Sequence, residues 1–194
     1  LVSVDGRPAQ PYVAGVPCGF YKASPCAAIA RPGAMLEYFK SGGGTGEVLG
    51  FGGIISADDL PESRHRDVRV RHLDEHGVEA TVMLPSLAVG VEYELSVNDP
   101  EALGPNLTSF NRWLHDDWGY GADGRIFGVP LLSLHDLDWA LGELDRVIAL
   151  GARIVHLRPG PVANRYSPAD PRFDPFWARC ADAGVAVAFH IGDS

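Results

Sequence analysis

One junction recurs four times in this chain: a helix-like stretch, a glycine, then a short apolar strand. It stands at Gly77 ahead of EATVMLPS, Gly124 before RIFGVPLLSL, Gly151 before ARIVHLRP and Gly184 before VAVAFHIGDS. Glycine is the residue that ends a helix in the left-handed conformation at little steric cost. Four such junctions in succession mean alternating strands and helices, and that alternation implies a parallel sheet in an α/β fold. The pattern reads as roughly the first half of a (β/α)8 TIM barrel.

Length and composition fit that reading. The chain has 194 residues, enough for one domain or a large part of one. Its 46% hydrophobic and 21% charged content is that of an ordinary globular protein. A formal net charge of −9 argues against nucleic acid as a partner. No run of residues approaches the roughly 18 apolar positions of a membrane span. The opening LVSVDGRPAQ lacks both a basic region leading into an apolar core and an initiator Met. We therefore expect no signal peptide and a natural N-terminus further upstream. The three cysteines, Cys18, Cys26 and Cys180, form no C-x-x-C pair. They read as free thiols in a reducing cytoplasm, with Cys180 a small buried residue in FWARCADAG.

The chain divides by texture. Residues 1–65 are rich in glycine and proline, with GGG at 42–44 and a short helical candidate in RPGAMLEYF at 31–39. We read them as a long irregular first loop or insertion, either functional as a lid or subunit contact, or simply a surface loop. Residues 66–194 form the partial barrel. RDVRVRHLDEHG is an amphipathic helix burying Val68, Val70 and Leu73, and TVMLP (81–85) is a fully buried strand. Residues 98–119 are helical, capped by Asn98 or Asp99 and kinked or split at Gly104-Pro105. The next strand is FGVPLLSL (127–134), with a bulge at Pro130. Then come a helix over 136–151 capped by Asp136 or Asp138, the strand RIVHLRP (153–159), a helix over 171–184 and the strand VAVAFHI (185–191).

Strand side chains alternate between faces. On the last strand Ala186, Ala188 and His190 share a face, which suits a barrel interior, while Val187, Phe189 and Ile191 suit the face beneath the helices. On the preceding strand Ile154, His156 and Arg158 share a face, so His156 and Arg158 are expected to point inward. Barrel enzymes place their chemistry at the C-terminal strand ends. Those ends carry Pro85 and Ser86, Ser133 and His135, His156 and Arg158, then His190 and Asp193. Neutral imidazole is the commonest metal ligand and a good acid or base near pH 7. A histidine on an apolar strand is also commonly a satisfied core residue, and that alternative stands for His190 and His156. No H-x-H, H-E-x-x-H or glycine-rich phosphate loop is present. Asn111, Trp113, Trp118 and Phe176 read as helix packing or interface.

The segments RHLDEHGVEATVMLPS, FNRWLHDDWG, GRIFGVPLLSL, GARIVHLRPGP and SPADPRFDPFWARCADAGVAVAFHIGDS resemble the amidohydrolase-related family. That family comprises metal-dependent hydrolases and nonoxidative decarboxylases of the aminocarboxymuconate-semialdehyde decarboxylase type. The resemblance makes TVMLP, FGVPLLSL, RIVHLRP and VAVAFHI strands two to five of the barrel. It implies one divalent metal, zinc or else manganese, with His190 as the fifth-strand ligand. The first-strand, sixth-strand and eighth-strand residues of that site fall outside this sequence, so the chain looks incomplete at both ends. Neither lysine, Lys22 or Lys40, is near a strand, which implies a mononuclear site. Arg158 is then expected to hold a substrate carboxylate through its planar fork, or else to form a structural ion pair with an acidic neighbour. His156 is expected to contact substrate or to lie behind the metal ligands.

Three functions follow as expectations. The first is a metal-dependent hydrolase of a small, carboxylate-bearing or aromatic substrate. The second is a metal-dependent nonoxidative decarboxylase of an aromatic or unsaturated acid. The third is a truncated, non-catalytic barrel module. A half barrel exposes strand edges and apolar rims, so the chain alone is expected to self-associate, and homo-oligomers are expected in general.

Overall fold

A glycine that stops a helix must turn left-handed, and all four junction glycines do: φ is +65° at Gly77, +72° at Gly124, +98° at Gly151 and +64° at Gly184. One of them has a different task from the one expected. The helix before Gly124 already ends at Gly119, φ +78°, whose N–H bonds to the carbonyls of Leu114 and His115. Gly124 instead closes a tight turn on the Gly121 carbonyl just before the next strand.

The structure is a computed structural model that describes residues 60–163 and 165–189, apart from the side chains of 86 and 87. Before residue 60 it describes residue 40 and the short strand segments 3–4, 7–8, 12–13, 16–17, 28–30 and 54–56. The chain forms two compact units, Leu1–His72 and Leu73–Ser194. In the first, six short strands make three antiparallel pairs. β1 (Ser3–Val4) pairs with β2 (Arg7–Pro8), β3 (Tyr12–Val13) with β4 (Val16–Pro17), and β5 (Ala28–Ala30) with β6 (Ile54–Ser56). The helical candidate at 31–39 lies outside the described residues. Helix α1 runs over Arg66–Glu75; of the three side chains expected to be buried, Leu73 is, while Val68 and Val70 are half-buried.

In the second unit the strands are β7 (Thr81–Met83), β8 (Ile126–Gly128), β9 (Leu131–Leu132), β10 (Ile154–Leu157) and β11 (Ala186–Phe189). β7 pairs with β8, and β9, β10 and β11 form a three-stranded sheet in which β10 is central; every one of these pairings is parallel. The connections are helices α2 (Ser86–Asn98) and α3 (Pro100–Asp117) between β7 and β8, α4 (Leu137–Ala149) between β9 and β10, and α5 (Asp174–Ala183) between β10 and β11. This is an α/β fold with parallel strands and helical crossovers, as the junctions require.

Several local expectations change. α3 is one continuous helix through Gly104-Pro105, not a split one. Asp99 caps it by accepting from the Ala102 N–H at 3.3 Å. Gly104 serves packing: a Cβ there would stand 2.9 Å from Cδ1 of Trp139 on α4, so only glycine lets the two helices come this close. Asp136 caps α4, as expected of that pair, accepting from the Trp139 N–H at 3.1 Å.

Pro130 interrupts its strand rather than bulging it. Val129 donates to the Met83 carbonyl of β7 at 3.1 Å, while the Pro130 carbonyl accepts from His156 of β10 at 2.8 Å. The strand therefore changes partners at the one residue that has no N–H to give. Beyond it, Leu131 has lost its neighbour on the β7 side. The side-chain amide of Asn111 on α3 takes that place, accepting from Leu131 N–H and donating to Leu131 C=O, both at 2.9 Å.

The two outer strands are more exposed than their composition suggests. Val82 on β7 is 50% exposed and Phe189 on β11 is 52% exposed. TVMLP is thus not fully buried, nor is Phe189 covered by helices; each strand has a partner on one side only among the described residues. The core lies between β8, β9 and β10 and the helices, with Ile126, Leu131, Leu132, Leu144, Val147, Val155 and Phe176 at 0% exposure. Asn111 and Trp118 are buried with them, whereas Trp113 is 45% exposed. Cys180 is buried on α5, and burial pushes its thiol pKa up; Cys18 and Cys26 lie outside the described residues.

Candidate functional site

The C-terminal ends of β9 and β10 gather the polar side chains. β10 leaves the sheet at Leu157, and the next residue, Arg158, carries its guanidinium into a buried ion pair. Its Nε donates to Oε2 of Glu92 at 2.6 Å, and the two side chains are 10% and 6% exposed. Glu92 comes from α2, and its other oxygen accepts from the Ser133 hydroxyl at 2.7 Å. Ser133 follows β9 directly. One carboxylate therefore ties the ends of two adjacent strands to the helix packed over them. Tyr93, the next residue on α2, presents its ring 5.3 Å from the guanidinium carbon of Arg158. Removing two charges from water is costly, and a short hydrogen-bonded contact with a further hydroxyl is the arrangement that offsets it.

Of the two expectations for Arg158, the acidic neighbour is present. The pair engages only Nε, however. Nη1 lies on the Gly160 side, 3.6 Å from where a Cβ there would be.

A cleft opens here. It is lined by Glu92, Ser133, His135, Arg158, Gly160 and Val162, among others, and encloses about 20 Å³. That is about the space one water occupies. A second cleft, of about 110 Å³, lies between the start of α3 and Trp139, and shares Ser133 and His135 as its wall with the first. His135 thus stands between the two. Its backbone N–H bonds to Ser133 Oγ at 3.4 Å, while its Nδ1 is buried with no hydrogen-bond partner among the described residues.

The other residues singled out from the sequence fall differently. His156 is 0% exposed on β10, and it is not among the residues that line either cleft. His190 and Asp193 lie outside the described residues. So Arg158, Ser133 and His135 are brought together, while His156 is enclosed beside them in sequence. Among the described residues, no group of three His, Cys, Asp or Glu ligand atoms gathers at these strand ends. The described residues there do not by themselves make a metal site.

Glu92 is the residue that sequence reasoning missed. The segment SLAVGVEYELSVN is apolar on nearly every side, and Glu92 and Glu94 are its only charges. A carboxylate inside a stretch that must be buried needs a buried cation, and that was the available signal.

No protein-family model matches the chain, and comparison with curated proteins finds no match. Among solved structures the chain is similar to an amidohydrolase from Mycobacterium avium subsp. paratuberculosis K-10. The identity is 38% and the TM-score 0.75, over 84% of this chain and 43% of that one. The chain thus spans less than half the length of the amidohydrolase it matches, and over that span it is amidohydrolase-like in sequence and fold.

Proposed function

We propose that this chain is the amidohydrolase-like portion of a (β/α)8-barrel enzyme, a metal-dependent hydrolase of a small carboxylate-bearing or aromatic substrate. The observation that carries the reading is the 38% identity to an amidohydrolase over 84% of the chain. It is supported by the polar residues that meet at the C-terminal ends of parallel strands, where barrel enzymes act. In this reading His190 is a ligand to one divalent ion, zinc or manganese, with its other ligands outside the described residues. The ion would supply an activated water or a polarised carbonyl. The chain's own contribution is substrate placement: Arg158 stands at the mouth of the site, fixed by Glu92 and Ser133, with His156 enclosed behind. The exposed apolar side chains on β7 and β11 support self-association.

The test is metal analysis of the full-length natural protein containing this sequence, purified without chelator, beside its His190→Ala variant, together with an ester, lactone and amide hydrolysis screen. About one zinc or manganese per chain, lost with His190, and turnover that follows the metal are expected. A folded full-length protein with neither metal nor hydrolysis overturns the reading.

A further inference from the structure

We propose that the last turn of α1, with the residue that follows it, is a surface site for one divalent transition-metal ion of the zinc type, held by His72, Glu75 and His76. The sequence there reads H-x-x-E-H.

Spacing brings the three together. Residues three and four apart on a helix are neighbours on its surface, so Glu75 and His76 both stand one turn beyond His72. One ligand atom of each, an imidazole nitrogen or a carboxylate oxygen, lies within 4.8 Å of the other two. Among the described residues no other three His, Cys, Asp or Glu side chains gather in this way. Zinc with ligands at about 2.0–2.1 Å sets tetrahedral neighbours about 3.3 Å apart, so modest side-chain rotations close the three on one ion. His72 is half-buried, while Glu75 and His76 are exposed. The two outer ligands therefore have room to turn toward the inner one.

The backbone beneath them is fixed. Leu73 is buried, and its carbonyl accepts from the His76 N–H at 3.2 Å and the Val78 N–H at 2.8 Å. The Gly77 N–H donates to the Asp74 carbonyl at 3.1 Å, with Gly77 at φ +65°. This left-handed cap holds His76 over the turn that carries His72. Arg125 braces the chain just past the cap, donating to the Asp74 carboxylate and, at 2.7 Å, to the Glu79 carbonyl. Asp74 is thus engaged by a cation, and Glu75 is the carboxylate beside the imidazoles. A fixed backbone lowers the ordering cost of binding, and the partial negative charge of a helix C-terminus favours a cation there.

The ligand set selects the ion. Two imidazoles and one carboxylate suit zinc, nickel(II) or copper(II), whereas magnesium and calcium prefer oxygen alone. With two ligands exposed, water reaches the ion, so the site binds metal without the dry surroundings of a reaction centre. Its effect is on the fold: an ion that clasps the end of α1 stabilises the helical state of that turn. The same exposure makes it a weak site, emptied by dialysis and filled when metal is added.

The experiment titrates the full-length natural protein, with whatever metal it keeps through dialysis, using zinc chloride and separately magnesium chloride. Calorimetry reads affinity and stoichiometry, and NMR of nitrogen-15 labelled histidine reads the two rings, assigned through His72→Gln and His76→Gln. One equivalent of added zinc is expected to shift both rings saturably, with magnesium inert. His76→Gln, an exposed change, should weaken zinc by about tenfold or more, Glu75→Gln by less, and the double histidine variant should abolish this binding. His190→Ala should keep it. Zinc binding that persists in the folded double variant overturns the site, as do histidine rings indifferent to zinc. Equal binding of magnesium, or loss of the added equivalent in His190→Ala, overturns it too.

Discussion

Two buried polar clusters bind helices to the strand ends, and they differ in how completely they close. In the first, Asn111 on α3 holds both backbone groups of Leu131 and donates to Glu143 on α4 at 2.8 Å. Glu143 also takes hydrogen bonds from Thr108 and from two nitrogens of Arg146. Tyr120 donates to the Asn111 carbonyl at 2.7 Å, and Trp139 to Thr108 at 3.2 Å. Both oxygens of its carboxylate are engaged. In the second cluster, Glu92 is equally satisfied, but Arg158 and His135 are not. A closed network rigidifies, and an incompletely satisfied one holds its members less firmly. The same residue types build both clusters, and completeness of hydrogen bonding tells them apart.

The sharpest way to break that comparison is to remove one partner from the open cluster. Arg158→Met leaves Glu92 buried and unpaired and is expected to destabilise by about 3–5 kcal/mol, whereas adding Glu92→Leu recovers most of the loss. Urea unfolding of the two variants measures this, and equal losses in both would show that the pair is not electrostatically coupled. In the closed cluster, Asn111→Ala orphans the N–H and C=O of Leu131 together. A cost of about 3 kcal/mol is expected, seen as a fall in Tm of the order of 10 °C. A loss under about 1 kcal/mol would mean that water replaces the amide without penalty.

The closed cluster also carries a pH signature. Burial pushes the Glu143 carboxyl pKa up, but the hydrogen bonds from Arg146 and Asn111 and the Arg146 charge outweigh it. The carboxyl therefore stays below the ordinary glutamate value of 4.5. A depressed folded pKa adds stability above the unfolded value and loses it as pH falls through the folded one. Stability should thus drop in acid below about pH 4.5, more steeply in the wild type than in Glu143→Gln. Parallel curves for the two proteins would remove Glu143 from the account of acid sensitivity. The smallest effect belongs to a junction. Gly184→Ala meets open space but a φ of +64°, so a loss of about 1 kcal/mol is expected, with Gly184→Asn losing less.

Most of the parallel architecture was legible, because period and punctuation are local. The amphipathic helices and the left-handed glycines need only their neighbours in sequence. What escaped is what depends on distant residues. Helix α2 has no polar face to betray its period, since it is packed on several sides, and so Glu92 went unnoticed. Gly119 ended α3 before Gly124 could. Pro130 was visible as an irritant, but its consequence rests on Met83, Asn111 and His156, each more than fifteen residues away. For the site, Arg158 was found from strand alternation, while its two possible roles could be weighed only once Glu92 was in place.

The change of partner at Pro130 also bears on how the fold opens. Up to Val129 the chain is stitched to β7, and from the Pro130 carbonyl onward it is stitched to β10. No backbone hydrogen bond is donated at the crossing itself. Such a break marks the border between two groups of amides that can exchange with solvent in separate events. Val82 and Phe127 would then lose protection together, and Val155 and Leu157 together in a second, rarer opening, because β10 is flanked on both sides. The clamp of Glu92 on Ser133 and Arg158 spans that border, because Glu92 sits on α2, which follows β7, whereas Ser133 and Arg158 follow β9 and β10; it therefore ties the faster group to the slower one.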